Sequence, residues 1–286
     1  MFENVLVGVD GRPGGRDAIA LARHLGDPSA RLTLVFVRSS DTAEDLADSE
    51  ELLERERNAA DLDAELLSVV SLSPGRGLHE QAERHGADLL VVGSCSHGTF
   101  GRAMLGDDTR AALNGAPCAV AVASRGYAEH PTAIANLGVA YNQSPESTTA
   151  LVVARELAAH TNAKVHALEV VSLPPLAYGG LMAPPIGEFI NEMVKEACDR
   201  VKELDGVDGH AVYGLAGEEL ARFGDELDLL VVGSRGYGPA RRLVSGSTSN
   251  YLERHARCSL LILPRTDTAP VSDPPSSSAE QSAARS

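Results

Sequence analysis

The chain is written twice. A glycine-spaced segment from Gly93-Ser94-Cys95-Ser96-His97-Gly98 to Gly106-Asp107-Asp108 returns 140 residues later as Gly233-Ser234-Arg235-Gly236-Tyr237-Gly238 to Gly246-Ser247-Thr248. Each copy follows an apolar run that ends on its first glycine, Leu89-Leu90-Val91-Val92 in one and Leu229-Leu230-Val231-Val232 in the other, so each loop begins where a buried strand stops. A repeat at about half the length of a 286-residue chain divides it into two similar units, each large enough for its own core.

The expected units are 1–125 and 133–264, joined by a short link that contains Gly126 and Pro131. In the first, apolar patterning predicts strands over 4–9, 31–37, 65–72, 89–92 and 119–123, with helices over 15–25, from residue 41, over 78–85 and over 109–114. In the second, strands are expected over 137–141, 165–170, 210–213, 229–232 and 259–263, with helices from Thr148, Gly187, Gly217 and Thr248. Strands alternating with helices, and apolar along their whole length, imply α/β units: two tandem open, mostly parallel five-stranded sheets with helices on both faces, Rossmann-like in type. One difference stands out. Over 173–185 the second unit has an apolar loop rich in Pro and Gly, a lid, a partner surface or a packed crossover, where the first has an acidic helix. Residues 265–286, rich in Ser, Pro and Ala, are expected to be a disordered tail.

A net charge of -15 and the absence of tryptophan argue against nucleic acid as a partner. No apolar stretch approaches the length of a membrane span, and the N-terminus reads directly as a first strand, so a cytoplasmic protein is expected. Cys95, Cys118, Cys198 and Cys258 show no C-x-x-C spacing, and neighbouring histidines do not complete a metal set; buried reduced thiols are the expectation, with Cys95 in a glycine loop the exposed candidate.

In an open parallel sheet a ligand sits beyond the carboxyl ends of the strands, and here Asp10, Asn142, Gly93 and Gly233 all fall at such ends. Glycines bring backbone N–H groups close to a ligand, and a helix starting at Ser247 or Thr248 adds its positive end, an arrangement suited to phosphates. Neither loop is a Walker A loop, and neither is G-x-G-x-x-G after a first strand. The second copy reads G-x2-G-x9-G-S-T over Gly233, Gly236, Gly246, Ser247 and Thr248.

With this strand order, the Val9-Asp10-Gly11 start of the first unit and Ser144-Pro145-Glu146-Ser147 in the second, the chain resembles the universal stress protein family, as a tandem two-domain member over about residues 3–264. The resemblance implies a stress-response protein. ATP-binding members of the family hold the triphosphate on this loop, and hold the nucleoside with an aspartate at the end of the first strand and a backbone group near the end of the second. Carried over, the second unit has the whole phosphate loop, with Ser234 inside it, and Val170 at the nucleoside-facing strand end, but Asn142 stands at the aspartate position. The first unit is the reverse: Asp10, Val37, Gly93 and Gly106 are present, while Ser96 replaces the second glycine and Asp107-Asp108 replace Ser-Thr. Two carboxylates where phosphates rest repel a polyanion, so the nucleotide site is expected chiefly in the second unit.

Asn142 forms hydrogen bonds to a ribose but brings no charge to Mg2+, which leaves open ATP, with or without Mg2+, and AMP as ligands. No nucleophile stands beside a base, so binding with little or no hydrolysis is expected; the alternative is a nucleotide-independent interaction module whose partner proteins the sequence does not name. The resemblance also implies assembly through the last strands, 119–123 and 259–263. A tandem chain satisfies this internally as a pseudo-dimer, and a further homodimer is compatible with it.

Overall fold

The computed structural model describes residues 1–94, 111, 114–131, 133–172, 186–234 and 247–264. The loop 173–185, most of both glycine loops, including Cys95, Gly106, Gly236 and Gly246, most of the helix expected over 109–114, and the tail 265–286 lie outside them. The first half runs β1 (Phe2–Gly8), α1 (Pro13–Leu25), β2 (Gly26–Arg38), α2 (Ala43–Ala59), β3 (Glu65–Val70), α3 (Pro74–His85), β4 (Leu89–Gly93) and β5 (Ala119–Ala123). The second runs β6 (Asn136–Ala140), α4 (Pro145–Thr161), β7 (Lys164–Val171), α5 (Ile186–Lys202), β8 (Val207–Tyr213), α6 (Ala216–Phe223), β9 (Leu229–Gly233), α7 (Ser247–His255) and β10 (Ser259–Leu263). Among the described residues, no helix is long and apolar enough to cross a membrane.

The strands follow the order β3-β2-β1-β4-β5-β10-β9-β6-β7-β8 in a single sheet. The expectation of two separate five-stranded sheets is corrected here. Each half has its five parallel strands, but β10 pairs antiparallel with β5, Leu260 opposite Val122, Leu261 opposite Ala121 and Ile262 opposite Val120. The physical reason is that β5, apolar throughout, and β10, apolar after Ser259, would otherwise be open edges, and pairing them satisfies both. Both strands are buried along their whole length.

Burial on both faces explains the unbroken apolar strands. Leu89, Val91, Leu229, Val231 and Leu261 point into one core with α1, α2, α4 and α5. Leu90, Val92, Leu230, Val232 and Leu260 point into the other with α3, α6 and α7. Cys118 and Cys258 sit in this second core, and burial pushes both thiols up to about 12, so neither is a nucleophile at neutral pH.

Two strands start earlier than their patterning suggests. β2 begins at Gly26, pairing with Phe2 before the register shifts, so Asp27-Pro28-Ser29 is absorbed as an irregularity rather than ending the strand. β8 begins at Val207 although Gly209 reads as a turn residue. That glycine answers a packing demand, since a Cβ on it would lie 2.5 Å from the Val201 backbone of α5.

Repeated polar clamps fix the strand starts. Asp88 accepts from the N–H of Glu3 and of Asn4, at 2.8 and 3.1 Å, and Asp228 accepts from Ala135 and Asn136, both at 2.8 Å. The link between the halves is held to α1 by the buried Asp17 carboxylate, which accepts from Gly126 N at 2.9 Å and Ala128 N at 2.8 Å. Tyr127 adds a 2.9 Å hydrogen bond to His24 Nδ1.

Candidate functional site

At the end of β6 the chain must leave the sheet and start α4. Asn142 makes that turn: its Oδ1 accepts from Ser144 N at 3.2 Å, and Gln143 takes the left-handed backbone, φ 63°. Ser144 then caps α4, its hydroxyl accepting from Ser147 N at 3.2 Å, with Pro145 in the first helical position. The Ser147 hydroxyl donates to Ser144 O at 2.9 Å and accepts from Asn142 N at 3.3 Å, closing the corner.

This corner forms one wall of a cavity of about 420 Å³, within the range of small-molecule sites. The strand ends supply Ala140, Leu168, Val170, Val232 and Gly233; α6 supplies Ala216 and Leu220; the first turn of α7 supplies Thr248 and Ser249. The cavity lies between β6 and β9, neighbours in the sheet whose following helices cover opposite faces. That is the topological switch point where open α/β sheets bind ligands.

Of the residues singled out from sequence, Asn142, Val170, Gly233 and Thr248 line this one cavity. Ser247 opens α7 and is exposed. Ser234 is buried, and its N–H donates to Leu263 O at 3.0 Å, tying the loop start to β10. Gly233 also has a packing role, because a Cβ there would lie 2.7 Å from Glu146 Cβ and from Glu146 O. Sequence reasoning passed over Glu146, Ser147 and Ser249 as lining residues; the Ser-Pro-Glu-Ser segment was the available signal.

The first half places Asp10, Val37 and Gly93 at the matching strand ends. Asp10 Oδ1 accepts from Arg12 N at 3.0 Å, as Asn142 does from Ser144 N, and Gly11 at φ 73° matches Gln143. The backbone of Gly14 lies on Gly93 more closely than Glu146 lies on Gly233: a Cβ on Gly93 would be 2.0 Å from Gly14 O. Val37 lies under α3, 3.0 Å from where a Cβ on Gly77 would be.

The lining combines apolar walls from Leu168, Val170 and Val232 with the Asn142 amide and the hydroxyls of Ser144, Ser147, Thr248 and Ser249, at the N-terminal end of α7. Asn142 spends its oxygen on the turn, so it offers a ligand N–H donors, where an aspartate offers only acceptors. Among the described lining residues none is Lys or Arg, and Glu146 is the one carboxylate.

The family model described as universal stress protein family matches residues 1–124 and again 134–264. "Universal stress protein A homolog 1" of Coxiella burnetii is 32% identical over 137 residues, 43% of this chain and 90% of its own. A universal stress protein of Methanocaldococcus jannaschii is 30% identical over 118 residues, 37% of this chain and 68% of its own. The crystal structure of a universal stress protein from Archaeoglobus fulgidus superposes with a TM-score of 0.65 at 17% identity, covering 92% of this chain and 98% of that one. The last likeness is one of fold, and it spans both halves. With the family model matched twice along nearly the whole chain, this protein belongs to the universal stress protein family.

Proposed function

We propose that this chain is a stress-response regulator that binds an adenine nucleotide, ATP foremost and AMP as the lesser candidate, in the cavity of its second half. The observation that carries this reading is the convergence of Asn142, Val170, Gly233 and Thr248 on one cavity at the switch point. Thr248 and Ser249 at the start of α7 would receive the phosphates, and Leu168 and Val170 the base. When bound, Mg2+ would supply positive charge to the phosphates, and Glu146 is the lining carboxylate with the hard oxygen donors it prefers.

Signalling by occupancy rather than by turnover fits the lining. Asn142 takes up no proton at neutral pH, and among the described lining residues Glu146 alone is of a type that serves as a base, with no histidine or lysine beside it. The test is to denature freshly purified full-length protein, identify released nucleotide by mass, and titrate the stripped protein with ATP and AMP, with and without Mg2+. About one adenine nucleotide per chain is expected. No released nucleotide and no heat on titration would overturn the reading in favour of a nucleotide-independent interaction module.

A further inference from the structure

The contact between the first two helices differs between the halves in a way the fold does not require. Pro13 and Pro145 open α1 and α4, so Arg23 matches Arg155 and Arg16 matches Thr148. The left-handed residues Asp61 and Gly206 follow α2 and α5, so Ala60 matches Asp205 and Glu56 matches Val201. One clamp is repeated: Arg23 donates to Ala60 O and Arg155 to Asp205 O, each tying a helix to the end of the next. The other is not. Arg16 donates to both oxygens of Glu56, at 2.9 and 3.2 Å, and Glu56 is only 2% exposed. In the second half Thr148 donates to Ser144 O at the start of its own helix, and Val201 belongs to the core. A buried ion pair adds little stability over apolar residues of similar size, and the second half folds with the apolar choice. The Arg16–Glu56 pair is therefore available for a task other than folding.

We propose that this pair belongs to a separate binding site in the first half, for a small organic monoanion: a carboxylate on an apolar body. A cavity of about 580 Å³ opens between α1, α2 and the link, within the range of small-molecule sites. Arg16, Arg23 and Glu56 supply its charge, Ile19, Ala20 and Ala59 an apolar floor, and Ala128 and Pro131 a wall from the link. Arg16 and Arg23 share one face of α1, with Ile19 and Ala20 between them. Glu56 takes up Nε and Nη2 of Arg16, and Ala60 O takes up Nη1 of Arg23; among the described residues, Nη1 of Arg16 and Nη2 of Arg23 have no partner. Held on Glu56 by two parallel hydrogen bonds, the Arg16 fork is fixed before a ligand arrives, which lowers the ordering cost of binding. His24 lines the cavity with its Nδ1 engaged by Tyr127. Two guanidiniums against one carboxylate leave the described lining with a single net positive charge, which suits a monoanion rather than a polyphosphate.

The cavity shares no described lining residue with that of the second half, so the two are tested separately. Full-length wild type is titrated calorimetrically with octanoate, 1-octanol and octylammonium, which share an apolar chain and differ in the charge of the head. Octanoate is expected to bind one site with a Kd of about 1 mM or tighter. The alcohol and the ammonium should bind about tenfold or more weakly, lacking the charged hydrogen bonds. The double variant Arg16→Thr with Glu56→Val carries the residues of the second half; it should keep a melting temperature similar to wild type and bind octanoate about tenfold or more weakly. Ala59→Leu, the residue that Leu204 supplies at the matching position, leaves both guanidiniums in place and narrows the cavity, and it should also weaken octanoate. Octanoate binding unchanged in either variant would overturn the site, because the anion would then bind elsewhere. 1-Octanol binding as tightly as octanoate would overturn the role of the guanidiniums. No saturable octanoate binding by wild type up to about 10 mM would overturn the inference as a whole.

Discussion

The corner after β1 and the corner after β6 have nearly the same backbone and different chemistry. Asp10-Gly11-Arg12 and Asn142-Gln143-Ser144 both close a turn in which a side-chain oxygen accepts from the N–H two residues on, and both pass through a left-handed residue. Aspartate and asparagine perform that structural task equally well, because it needs only an oxygen. The charge at this position is therefore free to answer to ligand. The helix caps differ in the same spirit: Ser144 caps α4 with its hydroxyl, whereas the side chain of Arg12 makes no cap bond to α1. The half with the better-built corner is the one whose glycine loop keeps the full spacing.

The largest expected effect tests what the two halves share. Leu261 is fully buried at the β5–β10 seam, and Leu261→Ala should cost about 2–5 kcal/mol, lowering the melting temperature by about 5–15 °C as a single transition. Two separate transitions, with the first half unaffected, would show that the halves do not fold as one sheet.

The paired substitutions Gly93→Ala and Gly233→Ala sharpen the comparison next. A Cβ at position 93 meets the Gly14 backbone at 2.0 Å and one at 233 meets Glu146 at 2.7 Å, so both destabilise, by about 1–3 kcal/mol or more, with Gly93→Ala the worse. Only Gly233→Ala should weaken adenine nucleotide binding in a titration. The reverse order of binding loss would place the site in the first half.

A smaller effect concerns the link, which α1 grips through Asp17. Asp17→Ala strands two backbone donors and should cost about 2 kcal/mol in urea unfolding. A stability within about 0.5 kcal/mol of wild type would mean that the link is not held at Asp17.

The smallest effect is a pH dependence. Burial, and then Arg23, hold His24 below its ordinary value of 6.5. A base whose folded value is depressed contributes stability that is full above 6.5 and is lost as pH falls through the lower folded value. Wild type should therefore lose up to about 1 kcal/mol more than His24→Gln between pH 7.5 and 5.5, half-exposure keeping the figure small. Parallel loss in both proteins would remove His24 from the account.

Much of this was legible in the sequence because the strands are buried on both faces. Runs such as Leu229-Leu230-Val231-Val232 have few other places to go, and the glycine ending each one marks the site end of the sheet. The starts of β2 and β8 were not legible. Asp27-Pro28-Ser29 and Gly209 carry turn signals locally, and tertiary contacts with Phe2 and Val201 override them. Glu146 was quoted in a motif without a role, because its place in the cavity comes from contact with Gly233, 87 residues away, which no local spacing reports. The fused sheet was anticipated only as a pairing of last strands; the antiparallel register that joins the two halves is a property of the folded chain.

The central claim is a division of labour between two copies of one fold, and one paired titration tests it most directly. Gly246→Glu and Gly106→Glu place the same carboxylate in the matching glycine of each loop, and both full-length proteins are titrated with ATP and Mg2+ beside wild type. The account predicts that Gly246→Glu abolishes binding while Gly106→Glu leaves it nearly unchanged. Equal loss from both, or loss from Gly106→Glu alone, would contradict it.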